Sequence, residues 1–136
     1  IFKHDGFYYL FVNWYGCCKG ILSTYEIYVG RSQQPTGPYV DQAGVDMRAG
    51  GGTLLVKAED KYIGPGHAAV SELDDGRFLF SFHYYNEENR GRPWISVREL
   101  TWDDDGWPVV DSAEVDLSTV PSSVNVVIKT PEVSTH

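Results

Sequence analysis

The feature that most constrains this chain is a repeat within it. Asp5-Gly6-Phe7-Tyr8-Tyr9-Leu10-Phe11 and Asp75-Gly76-Arg77-Phe78-Leu79-Phe80-Ser81 share a turn followed by the same apolar pattern, and Ile27 and Val97 fall at the same offset. Further on, Gly37-Pro38-Tyr39-Val40-Asp41 is echoed by Gly106-Trp107-Pro108-Val109-Val110-Asp111. A chain that repeats itself in this way is made of copies of one supersecondary unit. The unit is read from its period. Phe7 to Trp14 is a strand introduced by the Asp5-Gly6 turn, and Tyr25-Glu26-Ile27-Tyr28-Val29-Gly30 alternates polar and apolar residues as a half-buried strand does. Nine Tyr, six Phe and four Trp suit pleated strands, fourteen Gly and seven Pro suit tight turns, and nothing reads as an amphipathic helix. The fold class is therefore all-β. Two four-stranded antiparallel units are the signature of propeller blades, although strands of this spacing also suit a single sandwich.

Further strands are expected at Tyr39-Val40, at Thr53-Leu54-Leu55-Val56 after the Gly50-Gly51-Gly52 hinge, and at Ala68-Ala69-Val70 after Gly64-Pro65-Gly66. The remainder follow at Arg77–Tyr85, Trp94–Leu100 and Gly106–Val110. Residues 1–111 make up the blades. Residues 112–136 show no clear alternation until Val124-Asn125-Val126-Val127-Ile128 and read as a terminal strand or loose tail. At 136 residues there is room for a core, with about two thirds of the unfolded surface buried in a complete fold of this size. A blade, however, buries both of its faces against neighbours, and roughly three repeats are needed for stability. Two blades leave two apolar faces open, so the chain is expected to be part of a longer protein and to self-associate through those faces. Its first residue, Ile1, is not Met, and no leader pattern precedes the apolar stretch.

Charge narrows the partners. Nineteen Asp plus Glu against eleven Lys plus Arg give a net charge of -8, with no basic cluster to displace counterions from phosphate. Nucleic acid and anionic membrane surfaces are excluded as partners on this ground, and no apolar run approaches the roughly 20 residues that span a bilayer.

Several residues could carry chemistry. Cys17 and Cys18 are adjacent, which allows two small, partly buried residues or a vicinal disulfide, and their spacing is not that of a zinc site. His67 follows Gly64-Pro65-Gly66, where a tight turn can aim an imidazole at a ligand or ion, or simply hold it in the core. His83, inside an aromatic strand, is expected to pack with its ring nitrogens satisfied. Asp103-Asp104-Asp105, Asp74-Asp75 and Glu87-Glu88 flank turn residues and read as solvated loop charges. A glycosidase needs two carboxyl groups across a cleft, and no spacing here identifies such a pair. Trp14, Tyr15, Tyr84 and Tyr85 can stack on sugar rings or fill the core.

Taken in order, Phe7–Val12, Cys17-Cys18-Lys19-Gly20, Ser23-Thr24-Tyr25, Val29-Gly30-Arg31-Ser32, Thr36–Asp41, Gly50–Leu55 and Gly64-Pro65-Gly66-His67 resemble the C-terminal part of the endo-1,5-α-L-arabinanases of glycoside hydrolase family 43. His83-Tyr84-Tyr85 and Gly106-Trp107-Pro108 also fit, so the resemblance covers about residues 1–110. It implies a partial five-bladed β-propeller, here about two blades, from a secreted enzyme that hydrolyses internal α-1,5 links of arabinan with inversion. In that family one Asp is the general base, a second Asp tunes the acid, and a Glu is the general acid. The resemblance places all three upstream of Ile1, so no catalytic carboxylate is expected in this chain and the isolated chain is expected to be inactive. His67 matches a family histidine that helps hold calcium near the propeller axis, directly or through water, and binding by these blades alone should be weak. Cys17, with Gly20, matches a loop that lines the substrate cleft, and Trp14 and Tyr15 are its neighbours. Two other arrangements remain within the sequence reading. One is an exo-acting arabinofuranosidase or β-xylosidase of the same family; the other is a non-catalytic carbohydrate-binding or purely structural β unit.

Overall fold

The computed structural model describes residues 1–120. Eight strands run in two sheets: β1 (Phe2–His4), β2 (Phe7–Trp14), β3 (Glu26–Ser32) and β4 (Thr53–Val56) form the first, and β5 (Tyr62–Glu72), β6 (Phe78–Asn86), β7 (Arg92–Trp102) and β8 (Pro108–Glu114) the second. Within each sheet the strands follow chain order and every pair is antiparallel. This is the expected pair of four-stranded blades. The helical content of the described residues is limited to single 3-10 turns, at Gly20–Leu22, Met47–Ala49 and Glu87–Asn89 between strands and at Leu117–Thr119 after β8. No helix among them is long and apolar enough to cross a membrane.

The repeat seen in the sequence maps onto equivalent hairpins. Asp5 and Gly6, both at positive φ, make the two-residue connection of β1 to β2, and Gly76 closes the matching turn between β5 and β6. Ile27 and Val97 lie in the third strand of each sheet. The later echo is less regular. In the second sheet Pro108 begins a continuous outer strand, but in the first Tyr39-Val40 forms only isolated bridges, Val40 pairing with Arg31 and with Asp46. The outer position is resumed by β4, where Thr53 faces Val29, after an excursion over residues 41–52. Asp41 organises that excursion: its carboxylate accepts from the backbone N–H groups of Ala43, Val45 and Gly52, each at 2.9 Å.

Three further expectations change. Gly64-Pro65-Gly66 does not precede a short strand but lies inside β5, which accommodates it with register shifts between Ile63 and Gly66 and between Gly66 and Ala69. β8 continues through residue 111 to Glu114, because Glu114 still finds Arg98 as its cross-strand partner. The candidate strand Val124–Ile128 lies outside the described residues. Asp103 is more than a solvated charge, since its carboxylate accepts from the N–H groups of Asp105 at 3.0 Å and Trp107 at 2.7 Å and so shapes the β7–β8 turn.

Alternation then decides what the sheets bury. Ile27 and Val56 of the first sheet meet Phe80, Phe82, Tyr84 and Leu100 of the second in one continuous core, with Phe11 and Phe80 rings 5.6 Å apart. A second cluster joins Tyr9 and Val29 to Trp107. At this edge the turn of the second sheet is clamped onto the first. The Tyr9 hydroxyl donates to the Gly106 carbonyl, and Arg31 donates to the Asp105 carbonyl while its guanidinium lies 4.5 Å from the Phe7 ring and 4.3 Å from the Trp107 ring. Because Phe80 is completely buried between the sheets, Phe80→Ala should cost about 3–5 kcal/mol in urea unfolding. A loss below about 1 kcal/mol would show that the sheets do not share this core in solution.

Candidate functional site

One rim of the paired sheets collects most of the residues singled out above. There β2 ends beside the start of β3, with Trp14 opposite Glu26, and β5 begins beside the end of β6, with Tyr62 opposite Asn86. The segment 15–25 bridges the two. Its loop is closed by Thr24 N–H donating to the Gly16 carbonyl at 2.8 Å, Gly16 N–H to Thr24 Oγ1 at 3.1 Å, and Lys19 N–H to Ser23 Oγ at 3.0 Å.

This loop docks where β5 has no side chains to obstruct it. A Cβ on Gly64 would stand 2.7 Å from Ser23 Cβ, and a Cβ on Gly66 would stand 2.7 Å from a ring carbon of Tyr25 and 3.6 Å from Asn13 Cγ. The two glycines therefore serve close approach of the loop, which brings Cys17 and Gly20 onto the same rim as His67. Cys17 and Cys18 form a vicinal disulfide, so the alternative of two reduced small residues is set aside. Cys17 is half-buried and Cys18 exposed.

Backbone strain gathers at the same place. Tyr15, Cys18 and His67 have φ values of 72°, 67° and 56°, a region that costs a non-glycine residue about 1–3 kcal/mol and that is commonly held in place for function. His67 sits at a β5 bulge with an exposed ring, edge-on to His83 at 5.4 Å; His83 in turn lies 5.0 Å from Tyr85. His83 does not have both ring nitrogens satisfied, as the sequence suggested. Its Nδ1 is buried and has no partner among the described residues. Burial, then the neighbouring His67, holds the His83 imidazole below its ordinary value of 6.5, so it is favoured as the neutral ring.

The aromatic members are not equivalent. Trp14 packs on Tyr28, with ring centroids 4.4 Å apart, and on the Cα side of Gly52, where an added Cβ would lie 2.6 Å from the indole. Tyr15 is 66% exposed and touches Tyr28 edge-on, which leaves its ring free for a ligand. Tyr84 is core, as one of the two sequence readings held. Tyr28 and Glu26 were not singled out by sequence, since they look like ordinary strand residues. The Tyr28 hydroxyl donates to Glu26 Oε2 at 2.7 Å, and this bond, followed by that to Tyr15, holds the phenol above its usual range.

Calcium takes six to eight oxygen ligands. Among the described residues no three His, Cys, Asp or Glu side chains gather to hold a metal, and the immediate neighbour of His67 is another imidazole. These residues do not by themselves fit calcium.

Two propeller blades with a strained loop and a histidine sharing one rim define the class of protein, and comparison with known proteins supplies the family. The sequence profile of glycosyl hydrolases family 43 matches residues 1–108. The chain is 40% identical over 116 residues to an extracellular exo-α-(1→5)-L-arabinofuranosidase of Cellvibrio japonicus, covering 85% of this chain and 33% of that protein. It is likewise 40% identical over 104 residues to an extracellular endo-α-(1→5)-L-arabinanase of Bacillus subtilis, covering 76% of this chain and 31% of the other. A solved α-L-arabinanase of Cellvibrio cellulosa complexed with arabinohexaose superposes with a TM-score of 0.79 at 39% identity, over 88% of this chain and 37% of that one. The chain belongs to glycosyl hydrolases family 43, and its two sheets are blades of that family's five-bladed propeller. It spans about a third of the length of these relatives.

Two tests follow from the rim. Gly64→Ala, at φ 58° and against Ser23, should destabilise by about 1–3 kcal/mol and free the 15–25 loop, whereas Gly76→Ala, also at positive φ but with nothing within 4 Å, should show the backbone cost without loop release. Equal losses and an unchanged loop by hydrogen exchange would argue against docking. Asp41 is held below its ordinary 3.8, first by the Gly52 N–H and then by that of Val45. A depressed folded value means the contribution is present above the unfolded value and is lost as pH falls through the folded one. The Gly52 amide resonance should titrate with a midpoint below 3.8, and Asp41→Asn should abolish that titration.

Proposed function

We propose that these blades form part of an inverting, secreted glycoside hydrolase acting on the α-1,5-L-arabinofuranosyl links of arabinan, and that they supply cleft wall rather than the reacting carboxylates. The observation that carries this is the 40% identity, sustained over most of the chain, to extracellular enzymes named for α-(1→5)-L-arabinan chemistry. The disulfide between Cys17 and Cys18 agrees with an oxidising, extracellular setting.

In an inverting enzyme the acid protonates the departing glycosidic oxygen while the base activates water on the opposite face of the sugar, so the two carboxyl groups stand about 6.5–9.5 Å apart. This chain spans about a third of its relatives, and the acid, base and acid-tuning carboxylates are assigned to blades beyond its 136 residues. What its own residues do is bind and orient. Cys17 and Gly20 bring backbone and small side chains against the sugar, the exposed Tyr15 ring offers a stacking face, and Trp14 braces that corner through Tyr28. The family resemblance would put His67 beside a calcium ion of the whole propeller; any oxygen ligands for that ion would have to be supplied from outside these residues.

Equal identity to an exo-acting and an endo-acting relative keeps both cleavage modes in view, and product lengths from linear arabinan distinguish them. The first assay is release of reducing ends from linear arabinan by the 136-residue chain and by a form extended with the remaining blades. The extended form should be active and the short one inactive. Activity in the short chain would return the search for acid and base to its loop carboxylates; inactivity of both on arabinan would overturn the assignment.

A further inference from the structure

A cavity of about 230 Å³ opens between the two blades, lined by Val56, Lys57 and Glu59 on one side and by Arg98, Val110 and Ser112 on the other. Its place in the fold keeps it accessible. β4 and β8 are the last strands of their sheets, whereas β5, at the other edge of the second sheet, carries His67, which the family resemblance puts near the propeller axis. The cavity therefore lies at the circumference, and neighbouring blades, which pack on a blade's faces, do not close that edge. Arg98 gives the cavity its chemistry. The residue is only 7% exposed, and a buried cation is costly unless it is paired. Its Nε donates to Ser96 Oγ at 3.2 Å and its Nη1 to the Asp111 carbonyl at 3.3 Å, while the Tyr62 and Phe82 rings lie against the guanidinium. All four partners are neutral. Glu59 shares the cavity and Glu114 is the cross-strand partner of Arg98, yet neither forms an ion pair with it among the described residues.

The remaining nitrogen, Nη2, has no hydrogen-bond partner among the described residues. The side-chain polar atoms that are both without a partner and sealed from water there are His83 Nδ1, Asn86 Oδ1 and Trp102 Nε1. Arg98 Nη2 is not one of them, so it reaches solvent, and the cavity that Arg98 lines is its route. We propose that this cavity binds a small carboxylate, with Arg98 Nη2 donating to one of its oxygens and the exposed Lys57 and Ser112 supplying an ammonium and a hydroxyl from the two blades. A guanidinium edge matches the plane and spacing of a carboxylate. The chain carries a net charge of -8, which favours a singly charged group over phosphate or sulfate. The volume falls below the roughly 300 Å³ at which sites for larger ligands begin, so it suits a short free acid or the uronate end of an acidic sugar. This site is separate from the rim and does not depend on the arabinan reading.

The probe is sodium acetate titrated into the 136-residue chain at constant ionic strength, read by the Nε–H resonance of Arg98, which is assigned through Arg98→Lys. The resonance should move and saturate with acetate, and stay in place with sodium chloride or with acetamide, the neutral analogue. Lys57→Gln, at an exposed position, should weaken acetate binding about threefold without altering the fold. Galacturonate and galactose distinguish the source of the carboxylate. Saturation by galacturonate at lower concentration than acetate, with galactose silent, supports the site and identifies an acidic sugar; tighter binding of acetate supports the site and identifies a free short acid. A stationary Arg98 resonance, an equal shift with chloride or acetamide, or acetate affinity unchanged in Lys57→Gln overturns the proposal. Because the acetamide and Lys57→Gln comparisons leave Arg98 in place, they decide the matter even if Arg98→Lys fails to fold.

Discussion

The packing of Phe80, Phe82, Tyr84 and Leu100 against Ile27 and Val56 is the contact on which the rest of the molecule depends. Each sheet alone is a thin layer with two apolar faces, and four strands without a partner have little to exclude water from. Once these residues interlock, the two sheets hold one mutual angle and their rims are brought level. Arg31, between Phe7 and Trp107 and bonded to the Asp105 carbonyl, fastens the opposite edge and prevents the second sheet from pivoting on that core. Buried Arg98 plays a related part inside the second blade, its guanidinium placed 4.6 Å from the Tyr62 ring and 5.1 Å from Phe82 and bonded to Ser96 and the Asp111 carbonyl. In both cases an arginine is kept in an aromatic setting with its hydrogen bonds going to neutral acceptors, and neither arginine makes an ion pair among the described residues.

With the sheets fixed, the rim becomes a matter of access. The Gly16–Ser23 loop crosses from one blade to the other because β5 presents Gly64 and Gly66 to it, and bulkier residues at those positions would hold the loop away. Left-handed backbone at Tyr15, Cys18 and His67 is a stored cost in the same small region. A loop under local constraint, tethered by a disulfide to itself and by close packing to its neighbour, presents a fixed surface to a polysaccharide. Such rigidity reduces the ordering cost of binding a flexible chain.

Much of the architecture was legible from residues alone. The Asp-Gly turns and period-two runs identified both hairpins, and the repeat predicted two equivalent blades. Errors fell where one local signal stood for two structures. Gly64-Pro65-Gly66 read as a break because glycine and proline usually end strands, yet β5 absorbs them through bulges. Tyr39-Val40 read as a strand, but the insertion held by Asp41 leaves it only isolated bridges, from Val40 to Arg31 and to Asp46. At the rim, adjacency allowed a Cys17–Cys18 disulfide without requiring it. Nothing in an alternating strand marked Glu26 and Tyr28 as a hydrogen-bonded pair.

The sequence by itself determined the class of fold, the acidic and non-basic surface, and the family, because turn chemistry, alternation and ordered motifs are local properties that survive without coordinates. Only the tertiary structure decided which aromatic rings are core and which are available. Tyr84 and Tyr85 are neighbours in an aromatic strand, yet Tyr84 enters the inter-blade core while Tyr85 turns toward His83. That division follows from which face of β6 meets the first blade. The buried, unpartnered nitrogen of His83 likewise exists only after β6 and β7 pair. The physical reason is that burial belongs to pairs of surfaces, and a sequence names the surfaces without saying which of them meet.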